Sequence, residues 1–319
     1  MTIRVGTRGS TLATTQSGQV AERLAVLTGR EVDLVRIRTD GDVLTGPLSQ
    51  MGGTGVFVTA IRQALLDDRC DVAVHSLKDL PTTPAPGLRV VTPARVDPRD
   101  ALCARDGLTL ATLPTGAKVG TGSPRRAAQL RLARPDLEIV DIRGNVDTRL
   151  ARATGPDADL DAVVLAAAGL ARIGRTAAVT DLLDPTLLVP APGQGALAVE
   201  VRDEAFDDPG LAEALGALDD RSTRLAVTAE RALLRRLEAG CSAPVGAHAT
   251  VESGAHGDRL VLRSVVARVD GGASVRREDE TDPAGGDDAA TALGVRVADG
   301  LLAAGAADLA PLRETGAGA

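Results

Sequence analysis

Aromatic residues are nearly absent from this chain of 319 residues, which has two Phe and neither Trp nor Tyr. Proteins that bind nucleic acids generally need a basic face for the phosphates, and many also use aromatic rings for the bases. With a net charge of −7 and almost no rings, the chain lacks both. The composition argues against a nucleic-acid partner and predicts hydrophobic cores made of aliphatic side chains.

Long apolar segments are missing too. The longest apolar run, at 161–171, is too short to span a bilayer, and the first ten residues lack the apolar core of a signal peptide. We therefore expect a cytoplasmic protein without a membrane partner.

Cysteine and histidine are scarce, with three of each. An odd number of widely spaced cysteines argues against a disulfide framework and fits a reducing compartment. No spacing among these residues is typical of a zinc site, so we predict that the protein holds no metal. The six residues are Cys70, Cys103, Cys241, His75, His248 and His256.

Lysine is also rare, since Lys78 and Lys118 are the two lysines among 36 basic residues. Arginine is therefore the default cation of this chain, and a single arginine says little about function. Lys78 is the more informative residue.

The order of predicted elements over the first two thirds of the chain indicates α/β layering, because apolar β-branched runs alternate with helical stretches. The length is enough for two or three domains, each with its own core. The predicted strands are 3–6, 71–75, 138–142 and 161–167, and the first two helices are 11–27 and 56–66.

The segment 117–130 again reads as a strand, a glycine-rich loop and a helix. Ser123 is a natural N-cap for this helix, and Pro124 occupies its first position. The Val-Gly-Thr of this opening repeats that of 5–7. The repeat is weak support for two similar α/β domains that face each other across a cleft.

From about Ser222 the pattern changes. A helix at 226–239 is followed by strand-like runs such as 259–269, a polar stretch at 278–288 and a last helix at about 289–304. This order predicts a smaller α+β domain.

Arginines follow the strands of the α/β region, where open sheets bind ligands and helix N-termini attract anions. A guanidinium binds a carboxylate through two parallel hydrogen bonds, so the pattern indicates a cleft for a ligand with several carboxylates or phosphates. In a chain so rich in arginine, solvated surface residues remain the alternative. The arginines are Arg8, Arg125, Arg126, Arg143 and Arg172, with Arg149 one helical turn further on.

The segment 75-HSLKDLPT-82 places Lys78 and Asp79 together at the end of a strand. A carboxylate beside a cation in a cleft can hold a positively charged intermediate and transfer a proton. A surface ion pair in a turn explains the same residues equally well. His75 is better explained as a hydrogen-bonded residue at the strand end than as a metal ligand.

Cys241 lies in a loop of small residues, 240-GCSAP-244, after the end of a predicted helix. The helix dipole is negative there and raises a thiol pKa, although Arg235 and Arg236 oppose it. This is a poor environment for a redox or protease nucleophile. A permanently alkylated cysteine that serves as a tether needs no such activation.

Five motifs together resemble the porphobilinogen deaminases, also called hydroxymethylbilane synthases, over the range from Arg4 to about Ala249. They are HSLKDLPT, GTGSPRRAAQL, IRGNVDTRL, PAPGQGALAVE and ERALLRRLEAGCSAPVGAHA, in the expected order and spacing. The resemblance implies two lobes like those of periplasmic binding proteins, and a smaller C-terminal domain that carries the cofactor. The implied divisions are 1–98 with 196–219, 99–195, and 220–319.

The resemblance also implies the activity: four porphobilinogen molecules are deaminated and joined head to tail on a dipyrromethane cofactor, which is held by a thioether to Cys241. Asp79 matches the catalytic carboxylate, which would lie at the pyrrole nitrogens and stabilise the cation formed as ammonia leaves. The family expectation is a monomer. Matching the residues that bind acetate and propionate side chains are Arg8, Lys78, Arg125, Arg126, Arg143, Arg149 and Arg172, with the hydroxyls of Ser10, Ser76, Thr121 and Ser123.

Three positions depart from the family pattern. Gln50 and Thr54 stand where many members carry lysine, and Gly122 stands where a hydroxyl is common. The competing hypothesis is a non-catalytic, two-lobed carboxylate-binding or sensor protein, which would use the same arginines but has no need of the Lys78–Asp79 pair or of Cys241.

Overall fold

The structure is a computed structural model that describes residues 2–37, 55–239, 243–254 and 257–312, with the backbone alone at 55–57. The chain divides into two compact units. The first contains 1–96 and 196–224, and the second contains 97–195 and 225–319. The three-domain division expected from the resemblance stays a prediction.

The first unit is built on a five-stranded sheet in the order β2-β1-β3-β10-β4. Strands β1, β2 and β3 are parallel, and β10 runs antiparallel to both of its neighbours. The strands are β1 (Ile3–Thr7), β2 (Val32–Arg36), β3 (Val72–Ser76), β4 (Leu88–Val91) and β10 (Leu197–Arg202). The helices are α1 (Thr11–Thr28), α2 (Gly55–Leu66) and α6 (Pro209–Leu218).

The second unit contains a five-stranded sheet in the order β7-β6-β8-β5-β9. Here β6, β7 and β8 are parallel, and β5 is antiparallel to β8 and β9. The strands are β5 (Asp100–Ala104), β6 (Lys118–Gly120), β7 (Glu138–Val140), β8 (Ala162–Ala166) and β9 (Asp181–Leu182). The helices are α3 (Pro124–Ala133), α4 (Val146–Thr154) and α5 (Ala167–Arg172).

The two sheets share one plan, in which three parallel strands are followed by an antiparallel strand. The antiparallel strand of each sheet comes from a different place in the chain. In the second unit β5 precedes the parallel strands of its sheet, whereas in the first unit β10 follows the whole of 97–195. The similarity of the two α/β sheets agrees with the repeat seen at 5–7 and 119–121.

The remaining part of the second unit is a three-stranded antiparallel sheet, β11-β12-β13, which packs with α7 and α8 around a core of Leu, Val and Ala. The fold class predicted from sequence, α/β with a smaller α+β part, is confirmed. The elements are α7 (Arg221–Arg236), β11 (Val245–Gly254), β12 (Gly257–Ala267), β13 (Ser274–Thr281) and α8 (Gly286–Ala303).

Most predicted elements lie within a few residues of the observed ones, and the polar stretch at 278–288 begins inside a strand that was not predicted. Its first residues belong to β13, which pairs on one side with β12. Because β13 is an edge strand with one unpaired side, charged side chains are tolerated along it. This explains why its sequence contains no apolar run. The aliphatic core is confirmed, because every buried hydrophobic side chain among those described is Ile, Val, Leu, Ala or Cys.

Among the described helices, none combines the length and the apolar character needed to cross a bilayer. The described His, Cys, Asp and Glu side chains form no group of three that could hold a metal ion.

Candidate active site

The candidate residues of the first unit lie at one edge of its sheet. Strands β1 and β3 are parallel neighbours, with Val5 opposite Val72. Their carboxyl ends therefore meet, and the chain leaves β1 at Arg8 and leaves β3 after Ser76. Asp79 follows within one turn, so this unit brings its predicted residues to a common edge.

Two hydroxyl groups fix this edge. Ser10 caps α1, since its Oγ accepts a hydrogen bond from the Ala13 amide at 3.3 Å. The Gln16 side chain on the same helix donates from Nε2 to Ser76 Oγ at 2.9 Å. These contacts tie α1 to the end of β3 just before the Lys78–Asp79 pair.

Asp79 ends a short 3-10 turn, Leu77–Asp79, whose first residue is buried. The Leu77 amide donates to the Ala196 carbonyl at 3.1 Å, and the Leu80 amide donates back to Leu77 at 3.1 Å. With its neighbours on both sides anchored in this way, the Asp79 side chain is exposed. The turn holds a carboxylate on the surface of this unit rather than in its core.

His75 is buried at β3 beside a carboxylate, with which its Nε2 is not aligned as a hydrogen bond. Its Nε2 lies 3.4 Å from a carboxylate oxygen of buried Glu200, which Arg62 also holds at 2.8 Å. Burial opposes the ionisation of Glu200, but His75 and Arg62 outweigh it and lower the pKa of that carboxyl. These three side chains join β3 to β10 and α2, shortly before the turn that carries Asp79.

In the second unit the predicted residues likewise follow parallel strands, at the ends of β6, β7 and β8. Ser123 caps α3 by accepting from the Arg126 amide at 3.4 Å, and Pro124 begins the helix, which confirms both predictions. Thr121 Oγ1 accepts from the Ser123 amide at 3.2 Å. Gly122 has a specific reason to lack a side chain, because a Cβ there would lie 2.4 Å from the Ile142 carbonyl oxygen.

Arg125 and Arg126 are buried, whereas their positions in the sequence suggested side chains directed at a ligand. The Nε and Nη2 atoms of Arg126 lie 2.8 Å from Oδ1 of buried Asp100. Arg125 Nη1 lies 2.8 Å from Asp100 Oδ2, although the pair is not aligned as a hydrogen bond, and donates to the Val189 carbonyl at 2.7 Å. Two guanidiniums thus share one internal carboxylate.

Arg143, Arg149 and Arg172 are placed further outward. Arg143 is exposed and lies 3.5 Å from exposed Asp141. Arg149 is half-buried, and among the described residues its Nε has no hydrogen-bond partner. Burial lowers the pKa of Arg149, and the charges of Arg126 and Arg143 lower it further, against the opposing effect of Asp141.

Arg172 has a similar environment. It donates from Nη2 to the Gly195 carbonyl at 2.8 Å, and burial lowers its pKa to about 10. A nearby carboxylate would raise the pKa of a buried guanidinium. For both arginines burial outweighs the effect of any carboxylate among the described residues, so an added anion would stabilise their charged form.

Two of the three cysteines are inaccessible. Cys70 and Cys103 are fully buried, and burial raises the pKa of each thiol to about 11. Outside the described residues lie Cys241, Gln50, Thr54 and His256, so the predictions that concern them stay predictions.

Three functional candidates were missed at the sequence level. Buried Glu230 on α7 accepts backbone hydrogen bonds from Gly193 at 2.6 Å and Ala249 at 2.8 Å, which joins the PAPGQG segment to β11. Gln194 and Asp100 hold the two buried arginines. An acidic residue opening the apolar strand 100-DALCA-104 was the available signal for Asp100.

Two family models match the chain. One is described as porphobilinogen deaminase, dipyromethane cofactor binding domain, and covers residues 3–208. The other, porphobilinogen deaminase, C-terminal domain, covers 224–303.

Curated relatives match over nearly the full length. The porphobilinogen deaminase of Cutibacterium acnes is 56% identical, with 98% of this chain and 98% of that protein aligned. That of Micrococcus luteus is 52% identical, with 97% of this chain and 94% of that protein aligned. Among solved structures, a periplasmic substrate-binding protein of an ABC transporter from Coxiella burnetii aligns with a TM-score of 0.42 at 17% identity, covering 68% of this chain and 91% of that chain.

Proposed function

Because this chain belongs to the porphobilinogen deaminase family, we propose that the residues at the strand ends of its two α/β sheets carry out that family's reaction. The enzyme deaminates porphobilinogen and joins four molecules head to tail on a dipyrromethane cofactor, releasing hydroxymethylbilane and ammonia. The proposal concerns which residues hold the cofactor, bind the carboxylates and carry the charge of the reaction.

The observation that carries the proposal is a pair of half-buried arginines, Arg149 and Arg172, which form no ion pair with a carboxylate among the residues that the structure describes. Dipyrromethane and its elongated forms bear acetate and propionate side chains, and each added ring brings two more negative charges. Arg149 has an Nε without a partner among the described residues, and Arg172 has a pKa lowered by burial. Both fit a ligand of this kind, because an incoming carboxylate would restore the stabilisation that burial removes.

We assign the covalent anchor to Cys241. A thioether forms from an accessible thiol, and the two cysteines that the structure describes are fully buried with raised pKa values. Cys241 remains as the third cysteine of the chain. When bound there, dipyrromethane supplies the pyrrole carbon onto which the first substrate ring is joined.

Intact mass and peptide mapping test this assignment directly. We expect purified protein to exceed the sequence mass by two pyrrole units, and the added mass to map to the peptide that contains Cys241. An unmodified Cys241 peptide, or an increment on Cys70 or Cys103, would contradict the assignment. A protein that carries no increment would favour the alternative of a non-catalytic carboxylate binder.

Asp79 is the proposed catalytic residue. Its carboxylate is exposed at the end of a turn whose neighbours are anchored, so it can approach a ligand ring without disturbing the core. A fixed negative charge at the pyrrole nitrogen stabilises the positive charge that develops as ammonia leaves. The same carboxylate can accept and return a proton during each condensation.

Lys78 and the hydroxyl groups share the edge on which Asp79 lies. We propose that Arg8 and Lys78 bind ligand carboxylates, and that Ser10 and Ser76 donate hydrogen bonds to them. Ser10 Oγ already accepts from the Ala13 amide, which leaves its hydroxyl proton available for a ligand oxygen. Ser76 Oγ accepts from Gln16 Nε2 and donates to Gln16 Oε1 at 3.3 Å, so a ligand oxygen would replace Gln16 Oε1 as its acceptor. Thr121 and Ser123 are assigned the same role at the edge of the second sheet.

The charge of Arg149 provides a second test. Arg149→Leu should raise the KM for porphobilinogen or stop elongation at an early ring number, because ligand carboxylates lose a desolvated partner. The expected cost is about 2–5 kcal/mol, or roughly thirtyfold or more. Steady-state kinetics and mass spectrometry of the enzyme-bound intermediates measure both effects.

Arg152→Leu is the matched control. Arg152 lies on the same helix, α4, but pairs with Asp159 on the exposed side. Surface pairs of this kind contribute about 0–1 kcal/mol, so kinetics should be close to wild type. Equal kinetics for the two variants would contradict a ligand-binding role for Arg149.

We further propose that the enzyme is a cytoplasmic monomer that works without metal. Reduced cysteines fit that compartment, and the three cysteines are too few and too widely spaced for a disulfide framework. Sedimentation at micromolar concentration should give a mass near 32.5 kDa. A dimer mass would contradict the proposal.

A further inference from the structure

Asp100 is a fully buried carboxylate that the reaction does not use. It begins β5 and lies between the guanidiniums of Arg125 and Arg126, with three nitrogen atoms within 2.8 Å of its two oxygens. Burial opposes its ionisation, but the two arginines outweigh burial and lower the pKa of the carboxyl. Asp100 is therefore charged throughout the working range of the enzyme.

Gln194 completes this arrangement. Its Nε2 donates to Asp100 Oδ1 at 2.9 Å and to the Pro98 carbonyl at 2.7 Å. Its Oε1 accepts long contacts from Arg126 at 3.4 Å and Arg125 at 3.5 Å. Every atom of the amide that can form a hydrogen bond is thus directed at the two arginines, their carboxylate or the backbone beside it.

The two arginines carry two positive charges and Asp100 carries one negative charge, so the buried group has a net charge of +1. The positive charge of this group also acts on Arg149, since Arg126 lowers the pKa of that residue. Removal of Asp100 would leave two adjacent guanidiniums without an anion. They would repel each other and would draw any available carboxylate inward.

We propose that Asp100 is a positioning residue, an internal carboxylate that fixes the side chains of Arg125 and Arg126. It thereby keeps ligand carboxylates on the arginines that lie further outward, which are Arg143, Arg149 and Arg172. This inference rests on the proposed carboxylate-binding role of the arginine cluster. Under it, Arg125 is part of the support of the site, and Arg126 connects that support through its charge to Arg149, where ligand carboxylates bind.

Chemical rescue tests the proposal. Asp100→Ala should leave a small, positively charged space in which formate can take the position of the missing carboxylate. We expect the variant to show a KM for porphobilinogen raised by about a hundredfold, as misplacement of a binding group by about 1 Å can produce. Millimolar formate should restore KM in a saturable manner and should also raise the melting temperature of the variant, a readout that requires no turnover.

Asp136→Ala is the control. Asp136 holds Arg134 at 2.8 and 2.7 Å near the other end of α3, where the pair is partly exposed. Its loss removes a carboxylate from the arginine that follows the last residue of that helix, away from the proposed site. Formate should change neither its KM nor that of the wild type.

The outcomes separate this proposal from the proposed function. Formate that raises the melting temperature of Asp100→Ala without restoring KM would make Asp100 a purely structural residue. Absence of both effects would also overturn the proposal, as would failure of both Asp100→Ala and the isosteric Asp100→Asn to fold in the presence of formate. A fault in the proposed function would appear instead in the wild type, as a protein without the mass increment or without turnover of porphobilinogen.

Discussion

Asp79→Asn lowers the turnover of porphobilinogen by at least about a hundredfold while the protein melts at nearly the same temperature. The side chain keeps its shape and most of its hydrogen bonding, so the loss is that of one negative charge beside a developing cation. The carboxylate is exposed, and exposed charges contribute about 0–1 kcal/mol to folding, which is why the melting temperature should hold. Single-turnover kinetics and calorimetry provide the two measurements.

Asp79→Glu is the informative companion. It keeps the charge and displaces it by one methylene, so partial activity is expected, in the order wild type, Glu, Asn. Asp106→Asn serves as the matched control, since Asp106 is also an exposed aspartate in a 3-10 turn after a strand. If Asp79→Asn turned over within a few-fold of the wild type, the carboxylate would not stabilise the cation.

Cys241→Ser should abolish covalent cofactor attachment and, with it, all measurable turnover. A serine hydroxyl is scarcely ionised at neutral pH and is a much weaker nucleophile than a thiol. Nothing buried is removed from the described core, so the protein should fold with a mass equal to that calculated from its sequence. Intact-mass measurement and circular dichroism report the two effects.

Cys103→Ala is the control for this change. Cys103 is fully buried in β5, so its loss should lower stability slightly and leave the mass increment in place. A Cys241→Ser protein that still carried two pyrrole units would place the anchor at another residue.

Local signals explain why much of the fold could be predicted from the sequence. Ser10 and Ser123 each precede an apolar-periodic stretch, and each caps the helix that was expected there. These signals act over three or four residues and need no knowledge of distant partners. The strand ends that carry Arg8, Asp79 and Arg172 followed from the same local patterns.

Long-range partners explain what the sequence left hidden. Arg125 and Arg126 were predicted to bind a ligand because nothing in the surrounding sequence indicated an internal anion. Asp100 lies 25 residues before Arg125, and Gln194 lies 69 residues after it. Under the proposed roles, the arginines differ because the fold pairs Arg125 and Arg126 internally, and residue type alone does not encode that difference.

The origin of β10 has a consequence for synthesis on the ribosome. This strand lies between β3 and β4, yet it is translated after all of 97–195. Until it emerges, the β3 edge has no partner on that side and β4 has no strand to pair with. The sheet of the second unit has all five strands by Leu182, so it can close first. We therefore expect the usual order, in which the N-terminal part of a nascent chain folds first, to be reversed for these two sheets.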